Sequence, residues 1–196
     1  MNVPEQGGGS PRIGLSEVVL RTPLYERLCA FYAEVLQQPP SLDMTPESGR
    51  GTSDPDVPTR IAFFNLPGNY PYTQRVAIFE CADVGGRDRR AVGLHHLQIR
   101  YPDLGALFDA FEHLKTVGHR PVESANHGIA TSVYYLDPDG NRVELSGMNF
   151  PTEEEMKAYL GSEAFRRNPD GYKIDPEEFQ RRHRDGASFA DLVRMA

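Results

Sequence analysis

Apolar residues alternate with polar ones along Glu17-Val-Val-Leu-Arg-Thr-Pro23 and again along His96-Leu-Gln-Ile-Arg-Tyr-Pro102. This is the period of a strand with one buried face, and in both runs Arg, one residue and a strand-ending Pro follow. The two runs lie 79 positions apart and each leads into a helical stripe. Leu24, Leu28, Phe31 and Val35 recur at spacings of four, three and four; Leu104, Leu107, Phe111 and Leu114 recur at three, four and three. Strands are then predicted at 60–66 and 75–81 in the first half, and at 120–124, 131–136 and 142–146 in the second. Asp137-Pro-Asp-Gly140 supplies the tight turn between the last two. Gln74-Arg-Val-Ala-Ile78 also resembles Asn141-Arg-Val-Glu-Leu145.

The pattern predicts an α+β protein of two βαβββ modules forming a cupped mixed sheet, followed by a helical C-terminal extension. Residues 1–13 read as a flexible leader, 14–83 as the first module, 84–92 as a linker and 93–149 as the second module. Residues 150–196 form the extension, with helices opening at Pro151 and expected at 163–167, 176–184 and 188–195. Within the first module, residues 39–58 are rich in Pro, Ser, Gly and Asp and read as an inserted mobile loop.

Composition narrows the function. There are 21 basic and 28 acidic residues and a net charge of -7, so a nucleic-acid partner is not expected. The short basic runs at 87–90 and 181–184 each include an acid and read as solvated surface. Two cysteines make no disulfide framework, no apolar run approaches bilayer length, and the first dozen residues lack a secretory apolar run. A cytoplasmic protein without a membrane partner is therefore expected.

Strand parity selects the candidate chemistry. If Val18, Leu20, Leu97, Ile99, Val143 and Leu145 pack beneath the helices, then Glu17, Arg21, His96, Gln98, Arg100 and Glu144 share the opposite, concave face. One imidazole and two carboxylates, Glu17, His96 and Glu144, make a reasonable divalent-metal set. Arg21, Gln98 and Arg100 stand beside them as candidates to contact a substrate. A single His or Glu in a strand is ordinarily a surface residue; parity and the repeat together argue otherwise for His96 and Glu144, with Glu17 resting on less. His95 has the opposite parity and is expected to be buried or at an edge with a structural hydrogen bond.

Residues 14–150 resemble the vicinal oxygen chelate superfamily of glyoxalases, bleomycin-resistance proteins and extradiol dioxygenases. The run Asp137 to Leu145, DPDGNRVEL, is the most specific match, and Gly93-Leu-His-His-Leu97 is the next. A closer likeness is to single-domain proteins similar to biphenyl-diol dioxygenases, carried by Asn126-His-Gly, the following Thr131-Ser-Val-Tyr-Tyr135 and the acidic helical tail.

The resemblance implies a metal-dependent enzyme acting on a small aromatic or polyketide-like substrate that chelates through adjacent oxygens. Fe(II) is the favoured metal, with Mn, Ni, Co or Zn as alternatives. It also implies that His127 moves protons and that Tyr135, rather than its neighbour Tyr134, bonds the substrate oxygen. Glu17 departs from the dioxygenase branch, which has His there, and Ala77 departs from the glyoxalase and epimerase branches, which usually place a ligand there. Oxygenase chemistry leads. A redox-neutral isomerase, epimerase or lyase, and a non-catalytic binding protein, are the alternatives. The resemblance allows a homodimer without requiring one, since two modules within one chain can close a cup.

Overall fold

The computed structural model describes residues 14–51, 54, 57–68, 70, 73–82, 85–86, 88, 90, 92–187 and 191–192. The expected leader and most of the helix expected at 188–195 lie outside them. Two compact units emerge, one drawn from Met1–Cys29 and Gln38–Val84, the other from Ala30–Gln37 and Gly85–Ala196.

In the first unit, β1 (Glu17–Thr22), β2 (Leu42–Met44), β3 (Arg60–Leu66) and β4 (Gln74–Glu80) form one sheet in the order β1-β4-β3-β2. Strand β1 runs parallel to β4 and the other neighbours are antiparallel. Thr22 Oγ1 accepts from the Leu24 backbone N–H (2.8 Å), which sets the turn into α1 (Tyr25–Leu36). Residues 39–58 were expected to be only a loop, but they supply β2 and a 3-10 turn at Glu47–Gly49. The strand escaped the pattern because three residues with both faces exposed carry no alternation to read.

The second unit repeats the plan. Strands β5 (Leu97–Arg100), β6 (Glu123–Asn126), β7 (Ala130–Leu136) and β8 (Arg142–Met148) take the order β5-β8-β7-β6, with β5 parallel to β8. Helix α2 (Leu104–Thr116) follows β5; Asp103 caps it by accepting from the Ala106 N–H at 2.8 Å. Strand β6 starts later than expected, beyond Pro121, which has no N–H to give a ladder.

The two registers align the repeat residue by residue. Val18 pairs with Val76 as Leu97 pairs with Val143, and Val19 pairs with Ala77 as Gln98 pairs with Glu144. Ala77 and Glu144 are thus equivalent positions of the two modules.

Most buried apolar side chains of each sheet share one face. They are Leu20, Ala62, Phe64, Val76 and Ile78 in the first sheet, and Val133, Tyr135, Val143 and Leu145 in the second, where α2 buries Leu107, Phe108, Phe111 and Leu114. The latter half of α1 belongs to the second unit. There Tyr32 donates to Asp137 Oδ2 (3.4 Å), and the Tyr101 hydroxyl donates to the Val35 carbonyl.

The extension contributes α3 (Glu153–Leu160), α4 (Glu163–Arg167), β9 (Tyr172–Lys173) and α5 (Pro176–Arg184). Strand β9 joins the second sheet beside β6, pairing Asn126 with Tyr172 and Ala125 with Lys173. Helix α5 buries Phe179 completely, its ring 6.2 Å from that of Phe108. No helix among the described residues is long and apolar enough to cross a membrane.

Because Phe179 is fully enclosed, Phe179→Ala should lower the free energy of unfolding by about 3 kcal/mol. Urea denaturation checks this; an unchanged midpoint would show that the extension is not part of the folded core.

Candidate functional site

The second sheet's face away from α2 carries the polar set that parity placed there. Glu144 is 4% exposed, a depth at which a carboxylate needs partners. Its Oε1 accepts from Ser132 Oγ (2.6 Å) and from Gln98 Nε2 (3.1 Å), and the same amide donates to Ser146 Oγ (3.1 Å). Its Oε2 is left for His96, whose Nε2 stands 2.9 Å away. One oxygen is therefore held by the sheet and the other directed at the imidazole.

The arrangement suits a divalent cation. The His96–Glu144 separation of 2.9 Å is that of a hydrogen-bonded pair, and an imidazole and a carboxylate brought this close could serve as neighbouring ligands of one cation. A carboxylate whose second oxygen is already bonded is also oriented as metal ligands require. Among the described residues no third His, Cys, Asp or Glu joins the pair into a cluster. Glu17 belongs to the first unit, where its Oε2 is ion-paired with Arg75 Nε.

Tyr134 and His127 complete the polar face. Tyr134 pairs across the strands with Glu144, so their side chains share a face, and its ring stands 6.1 Å from that of His96. The Tyr134 hydroxyl lies 2.9 Å from His127 Nε2, while His127 Nδ1 lies 2.7 Å from the Asp170 carbonyl oxygen. A carbonyl only accepts, so Nδ1 carries the proton and, in the neutral ring, Tyr134 donates to Nε2. Arg142 covers the outer face of the Tyr134 ring at 4.1 Å.

Several expectations change. Tyr135 pairs with Val143 on the helix side, is 1% exposed, and its hydroxyl finds no hydrogen-bond partner among the described residues; Tyr134 is the tyrosine of the polar face. Gln98 holds Glu144 and Ser146, although it was expected to meet a substrate. Arg100 donates to Met148 Sδ near the end of β8. Arg21 is exposed on the first sheet, opposite Phe79 of β4. His95 is exposed rather than buried, and its Nδ1 lies 2.8 Å from His96 Nδ1. Both histidines precede β5, so strand parity places neither; His96 is placed by its Nε2 beside Glu144 Oε2. Parity on β8 puts Ser146 on the same face as Glu144, whereas sequence reasoning missed Ser132, which pairs with Ser146 across the strands. Ser132 shares the parity of Tyr134 on its strand, and that spacing was the available signal.

Two tandem βαβββ modules, one with a His–Glu pair on its open face, place the protein in a class defined by duplication of a small mixed sheet. The family described as Glyoxalase/Bleomycin resistance protein/Dioxygenase superfamily matches residues 14–145, and the chain belongs to that superfamily.

The chain is 43% identical over 90 residues to biphenyl-2,3-diol 1,2-dioxygenase 2 of Rhodococcus globerulus, a match covering 46% of this chain and 47% of that one. It is 36% identical over 124 residues to dioxygenase 3 of the same organism, covering 62% and 65%. The matches thus span about half to just under two thirds of those relatives. Among solved structures, a glyoxylase/bleomycin resistance protein/dioxygenase domain from Frankia sp. EAN1pec superposes with a TM-score of 0.55 at 19% identity, covering 70% of this chain and 98% of that one. A mutant of the fosfomycin resistance protein FosX from Listeria monocytogenes, solved with Mn(II) and 1S,2S-dihydroxypropylphosphonic acid, gives 0.52 at 17%, covering 72% and 95%. Likeness at this identity speaks for the fold.

Burial, and then the Glu144 carboxylate, push the Tyr134 phenol up to about 12, against the opposing pull of Arg142. Its folded value lies above its unfolded one, so its stabilisation is complete below the ordinary phenol range and is lost as pH rises through about 12. In an ultraviolet titration Tyr134→Phe should remove one late-ionising tyrosine. Loss of an ordinary tyrosine instead would place Tyr134 in solvent.

Proposed function

We propose that this chain is a metal-dependent dioxygenase that opens the ring of a small aromatic diol, with His96 and Glu144 holding the metal. The observation that carries the reading is the divided Glu144 carboxylate, fixed through Oε1 by Ser132 and Gln98 and presenting Oε2 beside His96 Nε2. The similarity to two biphenyl-2,3-diol dioxygenases supports the substrate class. When bound, the metal supplies a Lewis acid and a template for the two neighbouring oxygens of the diol; Fe(II) suits a mixed imidazole and carboxylate set with open positions.

The chain's own groups handle protons. An aromatic diol must lose a proton to chelate, and His127 Nε2 offers a lone pair at the polar face once the Tyr134 hydroxyl turns to the substrate oxygen. The resulting imidazolium keeps its Nδ1–H on the Asp170 carbonyl, so the ring takes up and returns a proton without rotating. Arg142 over the Tyr134 ring holds that phenol in place. A dioxygenase inserts both atoms of O₂ into the product, so no external reductant enters the balance. Glu17 enters as a third ligand only through strand parity and the repeat; its carboxylate is already ion-paired with Arg75, and the reading stands on His96 and Glu144.

The test is anaerobic reconstitution with Fe(II), then admission of air in the presence of 2,3-dihydroxybiphenyl. One O₂ should be consumed per ring opened, and His96→Ala and Glu144→Ala should each abolish both iron retention and turnover. Glu17→Ala should retain iron. Turnover without O₂ on Mn, Ni, Co or Zn would replace this reading with the redox-neutral one. Diol binding that ignores Glu144→Ala and needs no metal would replace it with a binding protein.

A further inference from the structure

We infer that the C-terminal extension is a positioning element for His127, fixing which ring nitrogen faces the site; this rests on the proton-transfer role given to that histidine. The loop between β6 and β7 is gripped by the extension at several independent points. His127 Nδ1 donates to the Asp170 carbonyl at 2.7 Å. Buried Asn126, one residue earlier, donates through Nδ2 to the Leu192 carbonyl at 3.1 Å. Its Oδ1 accepts from the Gly128 N–H (2.8 Å) and from Asn149 Nδ2 (2.9 Å), and Asn149 also donates to the Gly128 carbonyl (3.0 Å). The loop is therefore rigid from within and tied from without.

Two glycines make the approach possible. Gly171, at φ +79°, comes so close that a Cβ there would lie 2.1 Å from the Asn126 carbonyl oxygen and 2.6 Å from His127 Cα. Both are backbone atoms that cannot swing aside, and a side chain at this φ is itself disfavoured. Gly128, at φ +77°, leaves the space that the Tyr159 ring of α3 fills; a Cβ would meet the Tyr159 hydroxyl at 2.3 Å. Pairing of Asn126 with Tyr172 then sets the register that brings the Asp170 carbonyl to the ring.

The consequence is chemical. Held by a backbone acceptor, the neutral ring carries its proton on Nδ1 and turns an unprotonated Nε2 toward Tyr134. Without the extension the ring would be free to adopt either tautomer and to flip, and a protonated Nε2 cannot accept a substrate proton. The resemblance alone places a histidine near the site; the extension is what aims it.

The experiment uses the full-length protein labelled with ¹⁵N-histidine, with His127 assigned among the six histidines by the loss of its signals in His127→Gln. Long-range ¹H–¹⁵N correlation should find neutral His127 in the Nδ1–H form, and Gly171→Ala should shift it to the Nε2–H form or a mixture. In the same variant kcat on 2,3-dihydroxybiphenyl should fall roughly ten- to a hundredfold, the usual cost of losing a partner that orients a functional histidine, with KM changed by less than about twofold. A wild-type ring in the Nε2–H form overturns the inference and needs no variant, which covers the case of a Gly171→Ala chain that does not fold. A Gly171→Ala ring that keeps Nδ1–H also overturns it. The expected tautomers, together with a His127→Gln enzyme that turns over normally, would uphold the positioning and refute the proton-transfer role instead.

Discussion

The cross-strand pairing of Tyr134 with Glu144 is the constraint on which the polar face depends. It fixes one side of β7 and β8 at once, so that Ser132, Tyr134, Glu144 and Ser146 all point away from α2 while Val133, Tyr135, Val143 and Leu145 point toward it. A slip of one residue would exchange the two sets and put a carboxylate into the core. The Asp137 turn guards against that slip, since Asp137 accepts from the backbone N–H groups of Asp139 (3.0 Å) and Asn141 (2.8 Å) and from Asn141 Nδ2 (2.8 Å). Turn chemistry and site chemistry belong to one hairpin.

Much of this was legible in the sequence, and the exceptions have physical reasons. The repeat of Glu17 to Pro23 at His96 to Pro102 identified both modules, and the two parallel registers reproduce the same alignment through hydrogen bonds rather than letters. The face of Glu144 was legible because β8 sets Val143 and Leu145 against it in plain alternation. The choice of Tyr135 over Tyr134 came from the resemblance, and β7, buried along nearly its whole length, offered little to set against it. Burial on both faces erases the polar and apolar contrast that parity needs. Strand β9 was invisible for another reason: two residues, Tyr172 and Lys173, hold no period, and their pairing follows from the chain's return to β6.

The two halves hold their carboxylates differently. Glu17 is countered by a cation, Arg75, on the neighbouring strand. Glu144 is held by neutral donors, Ser132 and Gln98, which leave its charge available. In a buried setting an uncancelled carboxylate draws positive charge, whether an imidazolium or a metal, whereas a salt-bridged one has already found it. The two halves therefore carry acids of opposite disposition toward a ligand.

Position 77 shows where duplication leads. It matches Glu144 in register, yet it is a fully enclosed alanine, with Val19 opposite on one neighbouring strand and Phe63 on the other. An alanine there leaves the first half no carboxylate to satisfy at the position where the second half must hold one. Enclosed as it is, the position has room for little more than a methyl group. The duplicated frame thus bears the burden of an enclosed charge at this position on one side only, and its other side is filled as an ordinary apolar interior.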